Sequence, residues 1–367
     1  MRRIFLLSVL VPSVVILLSA CILQETEAPA QPIIVIDSLG RTITFPKPPE
    51  RIVIAGKSNF MLNDAVYTFP QAPDKVVGLT RPRQGTRQFI ALLDPAYEDK
   101  ARFTLESSAE EIATVNPDLV LLKSFMKETL GDTLEQLDIP VVYLDLETPE
   151  QYQRDIEVLG QVFNNPNRAD EIWKHYQTLL DRLQEVTANR PANTRPSVLM
   201  IQYNTSGGEQ AFQVPSAMWI QTQMVELAGG VPVWIEAAQG NWSVVNFEQI
   251  AAWNPQQIYI LSYFDDPSAV VDTLSKDPKW QQLEAVQNNA LYGFPKDFYS
   301  WDQPDTRWSL GLTWLAIHIQ SEIELDLDIT KTFYEFYNTL YELDNITIEE
   351  NILPMVQGIE ITVRVEN

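Results

Sequence analysis

The sequence predicts an α/β protein of two doubly wound lobes, with mainly parallel sheets, joined by one long interlobe helix. Short Val/Ile/Leu runs alternate with amphipathic helices in both halves of the chain, and an unbroken helical periodicity separates the halves. A corner motif, E-x-I-A-x-x-N-P, occurs at Glu110 and again at Glu248. The length, 367 residues, exceeds what one compact core usually takes.

The start of the chain reads as a targeting segment. Met1-Arg2-Arg3 is a short basic region, residues 4–18 an apolar run, and Leu18-Ser19-Ala20-Cys21 a small-residue cleavage site ending on cysteine. A spanning helix needs about 20 apolar residues, and Pro12 and the small-residue tail argue against one. Residues 1–20 are therefore expected to be a lipoprotein signal peptide, with Cys21 as the lipidation site. A lone cysteine is ordinarily a buried thiol, but its place directly after Leu-Ser-Ala favours acylation. Cys21 is also the one cysteine in the sequence, so neither a disulfide framework nor a cysteine metal site can form. Residues 21–32, polar and Pro-bearing, read as a flexible tether. The expected location is extracytoplasmic, with the membrane reached through the N-terminal lipid only.

Without Arg2 and Arg3 the chain carries 24 basic against 49 acidic side chains, a formal charge of −25. Phosphate binding needs a basic surface, so a nucleic-acid partner is excluded.

Residues 33–147 form the expected N-terminal α/β lobe, with strand runs RIVIAG at 51, DKVVGL at 74, PDLVLL at 117 and IPVVYLD at 139. Residues 148–190 form a helical linker, first with Tyr152, Ile156, Leu159 and Phe163 at helical spacing, then with Ile172, Tyr176, Leu179 and Leu183. Asn165-Pro166 opens the second of these helices by cap and first-turn chemistry, and its length of roughly 33 Å suits a strut. Residues 191–367 form the C-terminal α/β lobe with terminal helices. It contains PSVLMIQY at 196, a helix over about 218–227, PQQIYILSY at 255, ALYGFP at 290, and amphipathic helices near 308–319 and through Phe333 to Tyr341.

Each corner motif places Ile and a second apolar residue three further on along one helix face (Ile112 and Val115; Ile250 and Trp253). The residue before proline is pushed out of the α region, so the helix stops and a buried strand begins. A helix-to-strand corner explains everything in the motif except Glu110 and Glu248. A carboxylate at a helix start favours the positive end of the macrodipole, and the competing reading is one displayed carboxylate on each of two related lobes.

Together the lipobox, the opening DSLGRTITFPKPPERIV, the two lobes on one long helix and E-x6-P-D-L-V resemble the solute-binding proteins of ABC importers for iron chelates and cobalamin, over nearly all of the mature chain. The resemblance implies a class III periplasmic-binding-protein-like fold, a monomer without a resident cofactor, and an ABC permease dimer with its ATPase as partner. The ligand it implies is an iron-siderophore, haem or a corrinoid. Glu110 and Glu248 become the expected permease-docking residues, meeting matching patches on a two-fold partner. A related branch binds bare zinc or manganese through several histidines. Here only His175 and His318 exist, so a histidine-rich metal site is not available and both are expected to be ordinary packing residues.

In such folds ligand sits between the lobes, at the carboxyl ends of the strands. Those ends carry Lys57 and Asn59 after the first strand, Arg81, Arg83 and Arg87 after the second, and Lys123 after the third. Five cations in an acidic protein point to an anionic or metal-chelate ligand. The second lobe offers the rings of Tyr203, Trp219, Trp242, Tyr263, Tyr299 and Trp301 for stacking. Arg307 corresponds to the family's P-x-R segment, although Pro304-Asp305-Thr306-Arg307 has one residue more than the usual form. Trp308 and Trp314, at helical spacing, read as core.

An enzyme is not expected. Gly56-Lys57-Ser58 follows a strand, but Arg51 stands where a phosphate loop needs glycine. G-x-S-x-G and H-E-x-x-H are absent. Asp265, Asp266, Asp297, Asp302 and Asp305 are the carboxylates that a secreted hydrolase would pair. The readings kept open are a binder of another anion such as an oxyanion, that hydrolase, and a surface adhesion module.

Overall fold

The computed structural model describes residues 32–81, 89–188, 191–206, 209–322 and 325–363. The expected signal peptide, Cys21, and the loop cations Arg83 and Arg87 lie outside the described residues.

The chain enters through a small antiparallel hairpin of β1 (Ile33–Ile36) and β2 (Thr42–Phe45). Its turn is built by Asp37, whose carboxylate accepts from the backbone N–H of Leu39 and Arg41, each at 3.0 Å, and pairs with the Arg41 guanidinium at 2.7 Å. Gly40 closes it with a φ of 73°, a conformation glycine adopts without steric cost.

Five short strands then form the first sheet: β3 (Ile52–Ile54), β4 (Val76–Thr80), β5 (Ala101–Phe103), β6 (Leu119–Lys123) and β7 (Val141–Leu144). Their order is β5-β4-β3-β6-β7 and every pairing is parallel. Strands β3 and β6 are buried along their whole length, which is why they read as continuous apolar runs rather than alternations. Helix α1 (Asn59–Val66) follows β3, and α2 (Ala109–Ala113) leads into β6.

Helices α3 (Pro149–Val162) and α4 (Pro166–Ala188) make the linker, with Thr148 capping α3 by accepting from the Gln151 N–H at 3.3 Å. The 23 residues of α4 span about 35 Å. Near its start, Arg168 donates to the backbone carbonyl of Thr68 in the first lobe and to those of Thr339 and Leu340 near the chain's end, each at 2.9 Å. The strut is thus stitched at one end to elements 271 positions apart in sequence, at Thr68 and Thr339.

The second sheet holds β8 (Ser197–Ser206), β9 (Glu209–Val214), β10 (Val231–Pro232), β11 (Ser243–Val245), β12 (Gln257–Leu261) and β13 (Leu291–Gly293). Its path is β11-β9-β8-β12-β13, with β10 on β8. Pairings β8–β12, β12–β13 and β8–β10 are parallel, and β9 pairs antiparallel with both β8 and β11. Helix α5 (Ile220–Leu227) falls within the expected range, and α6 (Phe247–Trp253) leads into β12.

The terminal helices α7 (Trp308–Ile319) and α8 (Ile329–Tyr341) complete the core. All nine residues from Trp308 to Ala316 are buried, so α7 is enclosed on every side rather than amphipathic as its sequence suggests. Trp308 and Trp314 are core, as their spacing indicates. Gly311 is required where α7 touches the segment before it: a Cβ there would lie 2.2 Å from the Trp301 carbonyl oxygen.

Candidate functional site

In the first sheet the chain runs from β3 through β4 to β5 on one side and through β6 to β7 on the other, so the direction reverses between β3 and β6. The second sheet reverses in the same sense between β8 and β12. Crevices of parallel α/β sheets open at such points, outside the carboxyl ends of the strands.

A cavity of about 580 Å³ lies there, lined from both lobes. The first lobe contributes Ser58, Phe60 and Met61 after β3, Phe125 after β6 and Glu147 after β7. The second contributes Trp219, Gln221, Asn241, Trp242, Tyr263, Gln303 and Pro304. Trp219 meets Trp242 edge-on at 5.5 Å between ring centroids, and Trp242 meets Tyr263 at 6.3 Å, so three rings form one continuous wall. An open groove of about 1080 Å³ also borders Glu147 and Trp219 and runs along Leu180, Asp181 and Gln184 of α4.

Of the expected ligand residues, the structure brings Trp219, Trp242 and Tyr263 to this cavity. Lys57 and Arg81 are exposed on the loops after β3 and β4. Lys57 stands between two left-handed residues, Gly56 (φ 83°) and Ser58 (φ 55°), a tight turn that delivers Ser58 and Phe60 to the cavity edge.

The other expectations are corrected. Asn59 is buried, and its amide donates to the Thr80 carbonyl. Lys123 is 1% exposed; its ammonium donates to the Asp145 carbonyl and pairs with Glu147 at 2.6 Å, so its charge is already matched. Tyr203 packs against Phe212 and Tyr299 against Phe60, and both are buried. Trp301 is fully enclosed, its indole N–H donating to Asp297 at 2.9 Å.

Arg307 departs furthest from expectation. It has no exposed surface and binds three carboxylates: Asp64 of α1, Asp297 at 2.6 Å and Asp305 at 3.6 Å. The ring of Phe89 lies 4.6 Å from its guanidinium carbon. Burial of a charge is tolerated only where partners replace water, and Arg307 and its carboxylates supply each other. Burial also pushes the Asp64 and Asp305 carboxyls above the usual range, against the pull of Arg307. The segment 297–307 therefore forms the floor beneath the cleft, and only Gln303 and Pro304 reach the cavity.

One buried group connects floor and cavity. Asp302, fully enclosed, accepts from Ser300 Oγ at 2.5 Å, from the Tyr263 hydroxyl at 2.9 Å and from Gln221 Nε2 at 3.3 Å. Burial raises its carboxyl to about 6, opposed by these three donors. Sequence reasoning named Asp302 as an acidic loop residue and missed Phe60, Met61, Glu147, Gln221 and Gln303. Phe60, Met61 and Gln221 lie on or beside helices, where an apolar or amide side chain carries no signal distinguishing cavity from core.

The two histidines are packing residues. His175 lies 3.4 Å from Ser309 Oγ, and desolvation lowers its pKa to about 4; His318 Nδ1 is 2.8 Å from the Trp314 carbonyl oxygen. Among the described residues no group of three or more His, Cys, Asp or Glu side chains is arranged to hold a metal ion.

Glu110 and Glu248 are exposed in the first turns of α2 and α6. Ser108 caps α2 and Asn246 caps α6 with a full capping box, so neither glutamate is needed as the cap itself. Both helices end at an Asn-Pro corner with the Asn left-handed, Asn116 at φ 47° and Asn254 at φ 38°. Each helix leads into a parallel strand and runs back against the sheet. Its N-terminus, with its glutamate, therefore lies on the side of the strands' carboxyl ends, where the cleft opens.

Residues 92–298 match the family model described as periplasmic binding protein. The high-affinity heme uptake system protein IsdE of Staphylococcus aureus is 24% identical over 192 residues, 51% of this chain and 63% of that protein. The match thus spans less than two thirds of that relative's length. A periplasmic solute binding protein from Veillonella parvula superimposes with a TM-score of 0.72 at 22% identity, covering 89% of this chain and 98% of the other. The molybdate periplasmic binding protein MolA of Haemophilus influenzae, bound to molybdate, gives 0.69 at 21% identity, covering 85% and 98%. Among the described residues no helix is long and apolar enough to cross a membrane. The chain belongs to the periplasmic binding protein family.

Proposed function

We propose that this protein captures a chelated metal or a corrinoid, such as an iron-siderophore, haem or cobalamin, in the interlobe cleft and delivers it to an ABC permease. One observation carries the reading: a cavity of about 580 Å³ between two sets of strand ends, walled by Trp219, Trp242 and Tyr263 on one side and by Phe60 and Phe125 on the other. Such a volume, lined by rings with a few placed polar groups, fits a drug-sized organic ligand better than a small oxyanion. Similarity to a heme uptake protein supports the same class. In this reading Cys21 carries the lipid tether, Glu110 and Glu248 dock on the permease dimer, and the binding protein acts as a monomer.

Tryptophan-fluorescence titration with ferric siderophores, haem, cobalamin and molybdate tests the proposal, since Trp219 and Trp242 report directly on the cavity. Saturable quenching by a chelate or corrinoid, with no response to molybdate, is the expected result. A response to molybdate alone would establish the oxyanion reading instead.

A further inference from the structure

The cleft does not end at its ring-walled cavity. The open groove of about 1080 Å³ lies beside it, and the two share a wall, since Glu147 and Trp219 line both. On one side the groove is bounded by the strut. On the other it is bounded by residues 148–151, where α3 begins, and by residues 217–227 of the second lobe. Helix α4 turns Ile172, Tyr176 and Leu183 into the core, which leaves Gln177, Asp181, Gln184 and Thr187, spaced by four, three and three, as a second stripe along the groove. At a rise of 1.5 Å per residue that stripe is about 15 Å long. The cavity alone falls within the roughly 300–1,000 Å³ of a drug-sized site; cavity and groove together exceed it.

The groove has a consistent chemistry. Leu180, Leu227, Trp219 and Met218 give it apolar surface, and Met218 is 73% exposed. Its neutral polar groups are mainly glutamine amides, which can both donate and accept. Its charged groups are Glu147, Glu150, Asp181 and Glu226, and among the described residues that line it there is no lysine, arginine or histidine. Lys123 pairs with Glu147 at 2.6 Å and so offsets one of the four charges.

We propose that the ligand has two parts, a chelate head between the rings of the cavity and a flexible tail lying in the groove along α4. The groove selects tails with an aliphatic stem and neutral or basic polar groups over tails that carry an acid. The head rests on the chelate reading above; the tail rests on the continuity of groove and cavity and on the groove's own lining. A tail in place covers the apolar surface of Met218 and Leu180 and meets amides that serve donors and acceptors alike, whereas a carboxylate there faces only like charge.

Fluorescence titration, with Trp219 as a reporter common to both spaces, tests the proposal. The probes are two heads, the N-acetylated ferric complex of a linear trihydroxamate and cobinamide, each alone and coupled to an aliphatic ether chain of about 15 Å that ends in methyl, ammonium or carboxylate. Wild type, Gln184→Trp and the double variant Asp181→Lys, Glu226→Lys are compared, each first shown to be folded by its circular-dichroism melting curve. The quantity read is the ratio of tailed to tail-free affinity on the same head. In wild type the methyl-ended tail is expected to tighten binding about tenfold, the equivalent of burying two methylenes. The ammonium-ended tail should bind about fivefold more tightly than the carboxylate-ended one at low ionic strength, a preference that fades with added salt. Gln184→Trp, which fills the groove from the exposed side of α4, removes the gain from every tail, and the double lysine variant reverses the order of ammonium and carboxylate. Heads that bind without any gain from a tail overturn the proposal and leave the chelate reading standing. A gain that survives Gln184→Trp, or a carboxylate tail that binds most tightly to wild type, likewise overturns it. Failure of every head and every tailed form with folded protein overturns both.

Discussion

The guanidinium of Arg307 and the carboxylate of Asp64, 243 positions apart in sequence, form an ion pair inside the protein with neither side chain exposed to water. Asp64 belongs to the helix that follows the first strand of the N-terminal sheet, and Arg307 immediately precedes a helix of the C-terminal lobe. Tyr341 adds a second tie by donating to the Asp64 carbonyl at 3.2 Å, and Tyr176 of the strut donates to the Thr306 carbonyl at 3.0 Å. The two lobes are thus pinned behind the cleft by a buried polar network as well as by the strut.

Removing the cation from this network leaves three buried carboxylates without their counter-charge. Arg307→Met is expected to lower stability by about 3–5 kcal/mol, the cost of breaking a buried pair from one side. Urea unfolding measures it. Adding Asp64→Asn to the same chain removes one orphaned charge and should recover part of the loss, so a double variant no more stable than Arg307→Met would refute the pairing.

A pinned hinge also limits motion. Small-angle scattering is expected to show little change in the radius of gyration on adding a saturating ligand. A large contraction would mean that the Arg307 network opens during binding.

Asp302 makes stability depend on pH in an unusual direction. Its carboxyl is raised to about 6 in the folded protein, against about 3.9 when unfolded, so the folded state binds this proton more tightly. Its contribution is fully present below the unfolded value and is lost as pH rises through about 6. Wild type should therefore gain on the order of 1 kcal/mol over Asp302→Asn on going from pH 7.5 to pH 5, read as the difference between their urea unfolding curves. His175 acts oppositely: with its folded pKa near 4, it stabilises above 6.5 and loses that contribution as pH falls toward 4. Because His175 is common to both proteins, it cancels in the comparison.

The lobes and the strut were legible because their signals are local. Ile52–Ile54 and Leu119–Leu122 are apolar throughout since both faces are covered, and Ile172, Tyr176 and Leu183 recur at helical spacing because one face packs. The antiparallel strand Glu209–Val214 was not legible, for pairing direction depends on the partner rather than on the run itself. At the cleft, rings following strand ends identified Trp219, Trp242 and Tyr263. Arg307 and Lys123 misled, because whether a cation faces ligand or a buried carboxylate is decided by residues far away in sequence, Asp64 for the first and Glu147 for the second.

Glu110 and Glu248 stand exposed on helices whose caps are supplied by Ser108 and Asn246, so their removal should cost the fold little. Exposed ion pairs contribute about 0.2–1 kcal/mol each. Glu110→Ala or Glu248→Ala alone should weaken stimulation of permease ATPase activity in proteoliposomes a few-fold, and the double variant should abolish it, with ligand affinity unchanged. Loss of ligand binding in the double variant would place these carboxylates in the cleft instead.

The cleft wall and the buried aromatic floor separate by substitution. Trp219 and Trp242 face the cavity and meet each other at 5.5 Å, so replacing either with Ala removes stacking surface worth about 0.5–1.5 kcal/mol beyond its area, a several-fold loss of ligand affinity at minimum. Trp301 has no exposed surface, and its indole N–H serves Asp297. Trp301→Phe should therefore lower the unfolding midpoint, by removing one of the two side-chain donors to Asp297 Oδ2, while ligand affinity stays within twofold of wild type. Isothermal titration and thermal melts on the three variants decide it: affinity falling with Trp301 but not with Trp219 or Trp242 would mean that the ligand enters beneath the 297–307 segment rather than between the lobes.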